Sequence, residues 1–305
     1  MSLRQFFVAT YLFVVAILGT ACITSHQEDG GESFRFAIPD GAARVVVLGT
    51  AAPESKGPVA DPIGRPRHPG ALALWVQDPD RLLLIDTPPG IGERLAALRL
   101  PEGFGEGSVE AFDTFLWTAA TPENAAGLGD LVARLHPELR ITLIGPPGTA
   151  EVIAGVADLP MDRVDVRIAD ARQRHQLAPQ LRVTSLHVPL EDGAIALGFG
   201  VQGAERRLLY LPRLGRLDLL TPDLIDLARP AAICLLDGRR WRSAPAGPSI
   251  LEILAALAGL PAEDRILRFT HVAPENSAAR PESRAARQLD ASGAALAMDR
   301  QEWWL

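Results

Sequence analysis

Short apolar runs rich in β-branched residues punctuate the chain, and most are bounded by Gly, Pro or Asp, the pattern of buried strands ended by turns. In the first half they are Val45-Val46-Val47-Leu48, Leu72-Ala73-Leu74-Trp75-Val76, Leu82-Leu83-Leu84-Ile85, Thr114-Phe115-Leu116-Trp117 and Ile141-Thr142-Leu143-Ile144. The second half adds Val183 to Val188, Ile195 to Phe199, Arg207 to Leu211, Ala232 to Leu236 and Arg265 to Phe269. Helical periods lie between them. From Asn124 to Leu135 the apolar positions Leu128, Leu131, Val132 and Leu135 form one face, and Ser249 to Ala258 and Pro281 to Gly293 behave alike. Strand pairs in each half with helices interposed predict two packed sheets covered by helices, an αββα sandwich of the α/β class.

The first residues follow another pattern. Arg4 precedes the apolar run Phe6 to Leu18, which matches the hydrophobic region of a secretory signal and ends in Gly19-Thr20-Ala21-Cys22. That ending resembles a bacterial lipoprotein lipobox, with Gly19 where a branched apolar residue is usual. An uncleaved anchor or an ordinary signal peptide are the less favoured alternatives, because the run is at the short end of what spans a bilayer. The expected organisation is a lipoprotein signal over 1–22 with Cys22 lipidated, a polar, Gly-containing tether over 23–42, and one large domain over 43–305. All of these readings export the domain, and the lipoprotein reading holds it at the bacterial cell envelope, on a membrane through the lipid.

A net charge of −7, with no basic stripe free of acidic neighbours, argues against nucleic acid, whose binding needs clustered Lys and Arg. Cys22 and Cys234 are the two cysteines, so no Cys-based zinc site can be assembled. The apolar setting of Cys234 predicts a buried, inert thiol.

Several segments resemble one family in the same order along the chain. They are Val45-Val46-Val47-Leu48-Gly49-Thr50-Ala51-Ala52, Arg65-Pro66-Arg67, Leu235-Leu236-Asp237-Gly238 with Trp241, Phe269-Thr270-His271-Val272-Ala273-Pro274-Glu275-Asn276, Pro281-Glu282-Ser283-Arg284-Ala285 and Gly293 to Asp299. Together they are similar to the coenzyme PQQ synthesis protein B family, a branch of the metallo-β-lactamase superfamily. The resemblance covers most of residues 44–305 and implies the metallo-β-lactamase type of αββα sandwich.

It also implies a metal motif, Thr-His-x-His-x-Asp-His before a helix, and there this chain departs. Residues 116–128 put Ala119, Thr121, Glu123 and Asn124 in the ligand positions, and only Glu123 keeps a good ligand. A Cys-containing segment of the family is absent from Ala52 to Gly64. A Gly-His loop is replaced by Ser243-Ala244-Pro245-Ala246-Gly247-Pro248. Where hydrolases of the superfamily place a metal-bridging Asp, this chain has Arg213, a cation that would repel a metal.

The chemistry-bearing residues that remain are Glu123, His187, Asp237 and His271, with Asp86 at the end of a strand. By resemblance they face one edge of the sandwich, and a Glu, an Asp and two His suffice for a single Fe or Zn. The structural alternative is that the two His bond loops, the two Asp cap turns and Glu123 opens a helix. The expectation is that no cofactor is bound. The pocket of Glu123, Asn124, His187, Arg213, Asp237 and His271 would then serve a binding protein or pseudoenzyme whose ligand is a small molecule or an envelope protein. A mononuclear metal-dependent hydrolase or oxygenase using Glu123, His187, Asp237 and His271 is the alternative. Export sits badly with a step of cofactor synthesis.

Other signals are weaker. Gly145-Pro146-Pro147-Gly148-Thr149 lacks the spacing of a phosphate loop and reads as a turn. Ser243 and Ser249 stand in no nucleophile-elbow pattern. His26, His68, His136 and His175 are expected to face solvent, and Trp303-Trp304 to cover the sheet or stack on a ligand.

Overall fold

The structure is a computed structural model and describes residues 42–52, 59–60, 66–76, 81–98, 112–135, 137–215, 224–242, 247–260 and 265–305. The expectations for residues 1–41, with Cys22 and His26 among them, lie outside these, as do those for 53–58, 61–65, His136 and 243–246.

Among the described residues the strands form two seven-stranded sheets and a small ribbon. In order they are β1 (Ala43–Gly49), β2 (Val59–Ala60), β3 (Pro66–Arg67), β4 (Ala71–Val76), β5 (Arg81–Ile85), β6 (Phe112–Leu116), β7 (Ile141–Gly145) and β8 (Val164–Ile168). Then come β9 (Arg174–Ala178), β10 (Leu181–Pro189), β11 (Ile195–Gln202), β12 (Arg207–Leu211), β13 (Ile233–Asp237), β14 (Ile266–Thr270), β15 (Ala294–Leu296) and β16 (Glu302–Trp304). The helices are α1 (Ile91–Ala96), α2 (Pro122–Ala125), α3 (Leu128–Ala133), α4 (Thr149–Ala154), α5 (Ile250–Leu257) and α6 (Arg284–Ala291), with a further helix over 224–228.

The first sheet runs β16-β1-β4-β5-β6-β7-β8 and the second β15-β14-β13-β12-β11-β10-β9. In each, three antiparallel pairings give way to three parallel ones, β5 to β8 in the first and β12 to β15 in the second. Val45, Val47, Leu74, Leu83 and Ile85 of one sheet meet Val183, Phe199, Val201, Leu208 and Leu235 of the other in a dry layer. Each such side chain, once fully buried, stabilises by about 1.5–3 kcal/mol. A second apolar layer joins Leu209, Leu211, Cys234, Leu236 and Phe269 to Ile250, Ile253 and Leu289 of α5 and α6. Two buried layers with helices outside make the αββα sandwich.

Local signals set the helix starts. Ser249 and Glu252 form a reciprocal capping box on α5, and Ser283 accepts from the N–H of Ala286 to cap α6. Cys234 is fully buried and its thiol is pushed up to about 11 by burial, so it stays protonated. Gly148, at φ 91°, turns the chain between β7 and α4 in the conformation that glycine favours. No helix among the described residues is long and apolar enough to cross a membrane.

Several expectations need correction. The single helix over Asn124 to Leu135 is two, α2 and α3. Thr87 is the cause: its N–H and its Oγ1 donate to the Asn124 carbonyl at 3.2 and 2.6 Å, and its own carbonyl accepts from Gly127 at 2.8 Å. Six strands are not predicted by the pattern: β8 and β9 are polar edges, β15 and β16 are only three residues long, and β2 and β3 only two. The C-terminal tryptophans belong to β16, which pairs with β1; Trp303 lies in the inter-sheet core, while Trp304 packs against Trp75 with ring centres 6.5 Å apart. His68 and His175 are half-buried rather than solvent-facing. His68 pairs through Nδ1 with Asp299 at 2.8 Å, and burial holds the His175 imidazole below its usual range.

Candidate functional site

The parallel halves of both sheets end at a common edge, and polar residues follow those strand ends: Asp86 after β5, Thr118 after β6, Arg213 after β12, Asp237 closing β13 and His271 after β14. In α/β folds the carboxyl ends of parallel strands are where loops converge on ligands. Here a backbone bond ties the two sheets together at that edge, from the N–H of Leu197 to the carbonyl of Thr118 at 2.7 Å.

Asp86 is the acceptor at the centre. It sits in the left-handed region at φ 64°, 1% exposed, and accepts from Thr118 N at 2.8 Å, Thr118 Oγ1 at 2.7 Å and Asn124 Nδ2 at 2.6 Å. A non-glycine residue in that region is uncommon and persists only when its surroundings hold it there. Burial drives its carboxyl up from 3.8 to about 6, against the pull of those donors and of Arg213.

Asn124 reaches this carboxylate because of how α2 begins. Thr121 caps the helix, its Oγ1 accepting from the Asn124 N–H at 3.4 Å, and Pro122 occupies the first turn. The resulting phase turns Asn124 inward and leaves Glu123 exposed. Asn124 Oδ1 in turn accepts from Arg213 Nη2 at 3.3 Å. Arg213 is half-buried and exerts its charge on Asp86, Asp237, Tyr210 and His271 alike, which places its guanidinium amid the set.

Asp237 is buried and bridges two turns, accepting from the N–H of Leu214 at 3.0 Å and of Arg239 at 2.9 Å. Burial raises its carboxyl above the ordinary range, with Arg239 and those N–H groups opposing. His271 is 1% exposed at φ 55°, its ring laid over Gly70, where an added Cβ would lie 2.2 Å from Cε1. Burial, reinforced by Arg213 and Arg239, holds its imidazole well below 6.5, so it is neutral. Tyr210 is fully buried. Its phenol stays protonated because burial and nearby Asp86 push it well above 10.

Of the residues expected from sequence, the structure brings together Asn124, Arg213, Asp237 and His271, with Asp86. It does not bring in Glu123, which faces out, or His187, which is half-buried on β10 with Nε2 bonded to the Ala169 carbonyl at 2.8 Å. Among the described residues no group of three or more His, Cys, Asp or Glu side chains is placed to hold a metal ion. Thr118 and Tyr210 were missed. The signal for Tyr210 was a hydroxyl inside the apolar run Leu208 to Leu211, three residues before Arg213. Three buried polar atoms of the cluster have no protein partner: Arg213 Nε, Tyr210 Oη and His271 Nδ1.

Comparison with known proteins agrees with this architecture. The chain superposes on a Zn2+-bound PqqB from Methylobacterium extorquens with a TM-score of 0.68 at 22% identity, covering 86% of this chain and 100% of that one. A diphosphatase of the PhnP family gives 0.62 at 20% identity over 86% and 97% of the two chains. The metallo-β-lactamase fold protein YhfI from Bacillus subtilis gives 0.63 at 12% over 87% and 100%. At such identities the likeness is one of fold. Among curated proteins none matches the sequence. The family profile described as beta-lactamase superfamily domain matches residues 81–296, which takes in the strand ends carrying Asp86, Thr118, Arg213, Asp237 and His271. The chain belongs to the beta-lactamase superfamily.

Proposed function

We propose that this chain is a metal-independent binding protein on a coenzyme PQQ synthesis protein B-like scaffold, exported and held at the cell envelope by lipid on Cys22. Its ligand is a neutral or anionic small molecule, or an acceptor group on an envelope protein, seated against Arg213, Asn124 and His271.

The observation that carries this reading is Arg213 itself. Its Nη2 donates to Asn124 Oδ1 at 3.3 Å, and its charge opposes the burial-driven rise of the Asp86 and Asp237 carboxyls, so a fixed cation supplies part of the positive charge that a metal would otherwise bring. The remaining donor set does not fit a metal. Ala119 and Thr121 supply no imidazole, Asn124 spends its amide on Asp86 and its carbonyl on Arg213, and Glu123 faces solvent. The Zn2+ named for the similar PqqB structure belongs to that protein.

The same residues favour a ligand rich in acceptors. Arg213 Nε and the Tyr210 hydroxyl are donors, and the neutral imidazole of His271 offers Nδ1 in either role. A buried polar atom without a partner costs about 1–3 kcal/mol, a deficit that an entering acceptor removes. In a superfamily hydrolase a metal-bound water supplies the nucleophile; among the described residues no group of three or more His, Cys, Asp or Glu side chains is placed to hold such a metal.

The test is metal analysis of the purified full chain with assays of lactam, thioester and phosphodiester hydrolysis, with and without added Zn, Mn or Fe. Less than a tenth of an equivalent of metal and no turnover above background is the expected result. Metal-dependent turnover lost in both Glu123→Ala and His271→Ala would replace this reading with a mononuclear metal-dependent hydrolase or oxygenase.

A further inference from the structure

The outer face of the second sheet carries a second candidate site that shares no residue with the polar cluster at the sandwich edge. Strand register builds its floor in two rows. One runs Arg174, Thr184, Gly200, Leu209 across β9 to β12, and the next runs Gln176, Arg182, Gln202, Arg207. Their neighbours Val183, Val201 and Leu208 point the opposite way, into the inter-sheet core, as the alternation of a strand requires. The helix over 224–228 and the turn after it, with Leu227, Pro230 and Ala231, make the facing bank.

The groove between them has a volume of about 430 Å³. It leads into a narrower slot of about 150 Å³ walled by Leu186, Val188, Leu211 and Leu224, and the two share Arg172, Leu186 and Leu227. The wide end is cationic, and the narrow end is mostly apolar, with Arg172 and His187 as its polar lining. Arg172, Arg174, Arg182 and Arg207 are all exposed, and Asp226, 78% exposed and 3.9 Å from Arg229, is the single carboxylate among the described lining residues. Arg182 and Arg207 are steadied by neutral partners, donating from Nε to Gln176 and Gln202, so those bonds orient the guanidinium groups without cancelling their charge. In a chain of net charge −7 this is a local reversal of sign.

We infer that this groove binds a single-chain anionic amphiphile, a free long-chain carboxylate, with its acid group among Arg174, Arg182 and Arg207 and its alkyl chain laid over Leu209 and Leu186 into the slot. A carboxylate meets guanidinium donors in the geometry it pairs with best. Exposed ion pairs contribute little affinity, so the chain supplies most of the binding and the arginines supply the choice of head group. Each methylene that leaves water raises affinity roughly fourfold.

Gly200 makes the idea testable. It lies at the centre of the floor, and a Cβ there meets nothing within 4 Å, so a large side chain enters the groove without disturbing the sheet. Isothermal titration of the full-length protein with dodecanoate below its micelle concentration, against dodecanol and acetate, is the measurement. Dodecanoate is expected to bind at one site, dodecanol roughly tenfold more weakly and acetate undetectably. Gly200→Phe should weaken dodecanoate at least about tenfold with an unchanged melting curve, and the double variant Arg174→Gln/Arg182→Gln should abolish the preference for acid over alcohol. Absence of dodecanoate binding, or binding that survives both variants and therefore lies elsewhere on the chain, overturns the proposal.

Discussion

Arg213 reaches Asn124 across the edge of the sandwich, Nη2 to Oδ1 at 3.3 Å, and Asn124 carries the contact on to Asp86 through its amide at 2.6 Å. A loop leaving one sheet is thereby joined to a helix and a strand end of the other. Arg213→Met leaves Asp86 and Asp237 buried without that cation. Solvent around the half-buried guanidinium moderates the cost, and a loss of about 2 kcal/mol in urea unfolding is expected. Arg213→Lys keeps the charge without the planar fork and should fall between. A Met variant as stable as the parent would remove Arg213 from the electrostatic centre.

His271 and Asp86 pull stability in opposite directions with pH. The imidazole is held well below 6.5, so as pH falls past 6.5 the unfolded chain takes up its proton first; stability present above that pH is lost below it. The carboxyl of Asp86 is raised to about 6, so between about pH 6 and 4 the folded chain takes up its proton first and this group favours folding as pH falls. Comparing unfolding free energies at pH 7 and pH 5 in the parent and in His271→Asn isolates the imidazole, and asparagine tolerates the positive φ. The parent should lose more stability than the variant. An equal loss in both would place the slope on other groups.

Gly127 is where the chain leaves α2, and a Cβ on it would lie 2.3 Å from the Pro88 carbonyl oxygen and 2.9 Å from Ile91 Cγ2. Gly127→Ala should cost roughly 2–3 kcal/mol, because backbone on both sides must move. Gly200→Ala, with open space around its Cβ, should stay within about 0.5 kcal/mol of the parent. Chemical denaturation of the pair checks the contrast, and equal effects would contradict the packing around Thr87 and Asn124.

Chelation should leave the fold untouched. The two apolar layers hold the sheets together without ligands, so little metal-binding energy is coupled to folding. Melting curves with and without a strong chelator should superimpose. A downward shift of about 2–4 °C, equivalent to roughly 1 kcal/mol in a chain of this size, would reveal a bound metal.

Cys22 should carry lipid at the N-terminus of the mature protein. Mass spectrometry of protein taken from membranes of the expressing bacterium reads this directly. Cleavage elsewhere, or an intact Met1, would instead indicate an ordinary signal peptide or an uncleaved anchor.

Much of the architecture is legible in local pattern. Runs such as Val45 to Leu48 and Leu82 to Ile85 are too apolar to lie anywhere but in a doubly covered sheet, and Ser249 and Ser283 mark helix starts with caps that need no distant partner. Polar edges and three-residue strands carry no such period. For that reason β9, with Arg174 and Gln176 exposed, and β16, which pairs with β1 across the length of the domain, become visible only once folded.

The site divides along the same line. Residue types alone establish that the expected imidazoles are missing at Ala119, Thr121 and Asn124, because alanine offers no donor atom and a neutral hydroxyl or carboxamide is a far weaker zinc ligand than an imidazole. Which of the remaining polar groups act together depends on assembly. One residue of helix phase puts Asn124 inside and Glu123 outside, and strand order brings Arg213 to Asp86, far away along the chain. Burial and charge sum over neighbours in space. Local periodicity encodes which face of an element is covered, whereas the protonation of Asp86, Asp237, Tyr210 and His271 follows from who else loses water beside them.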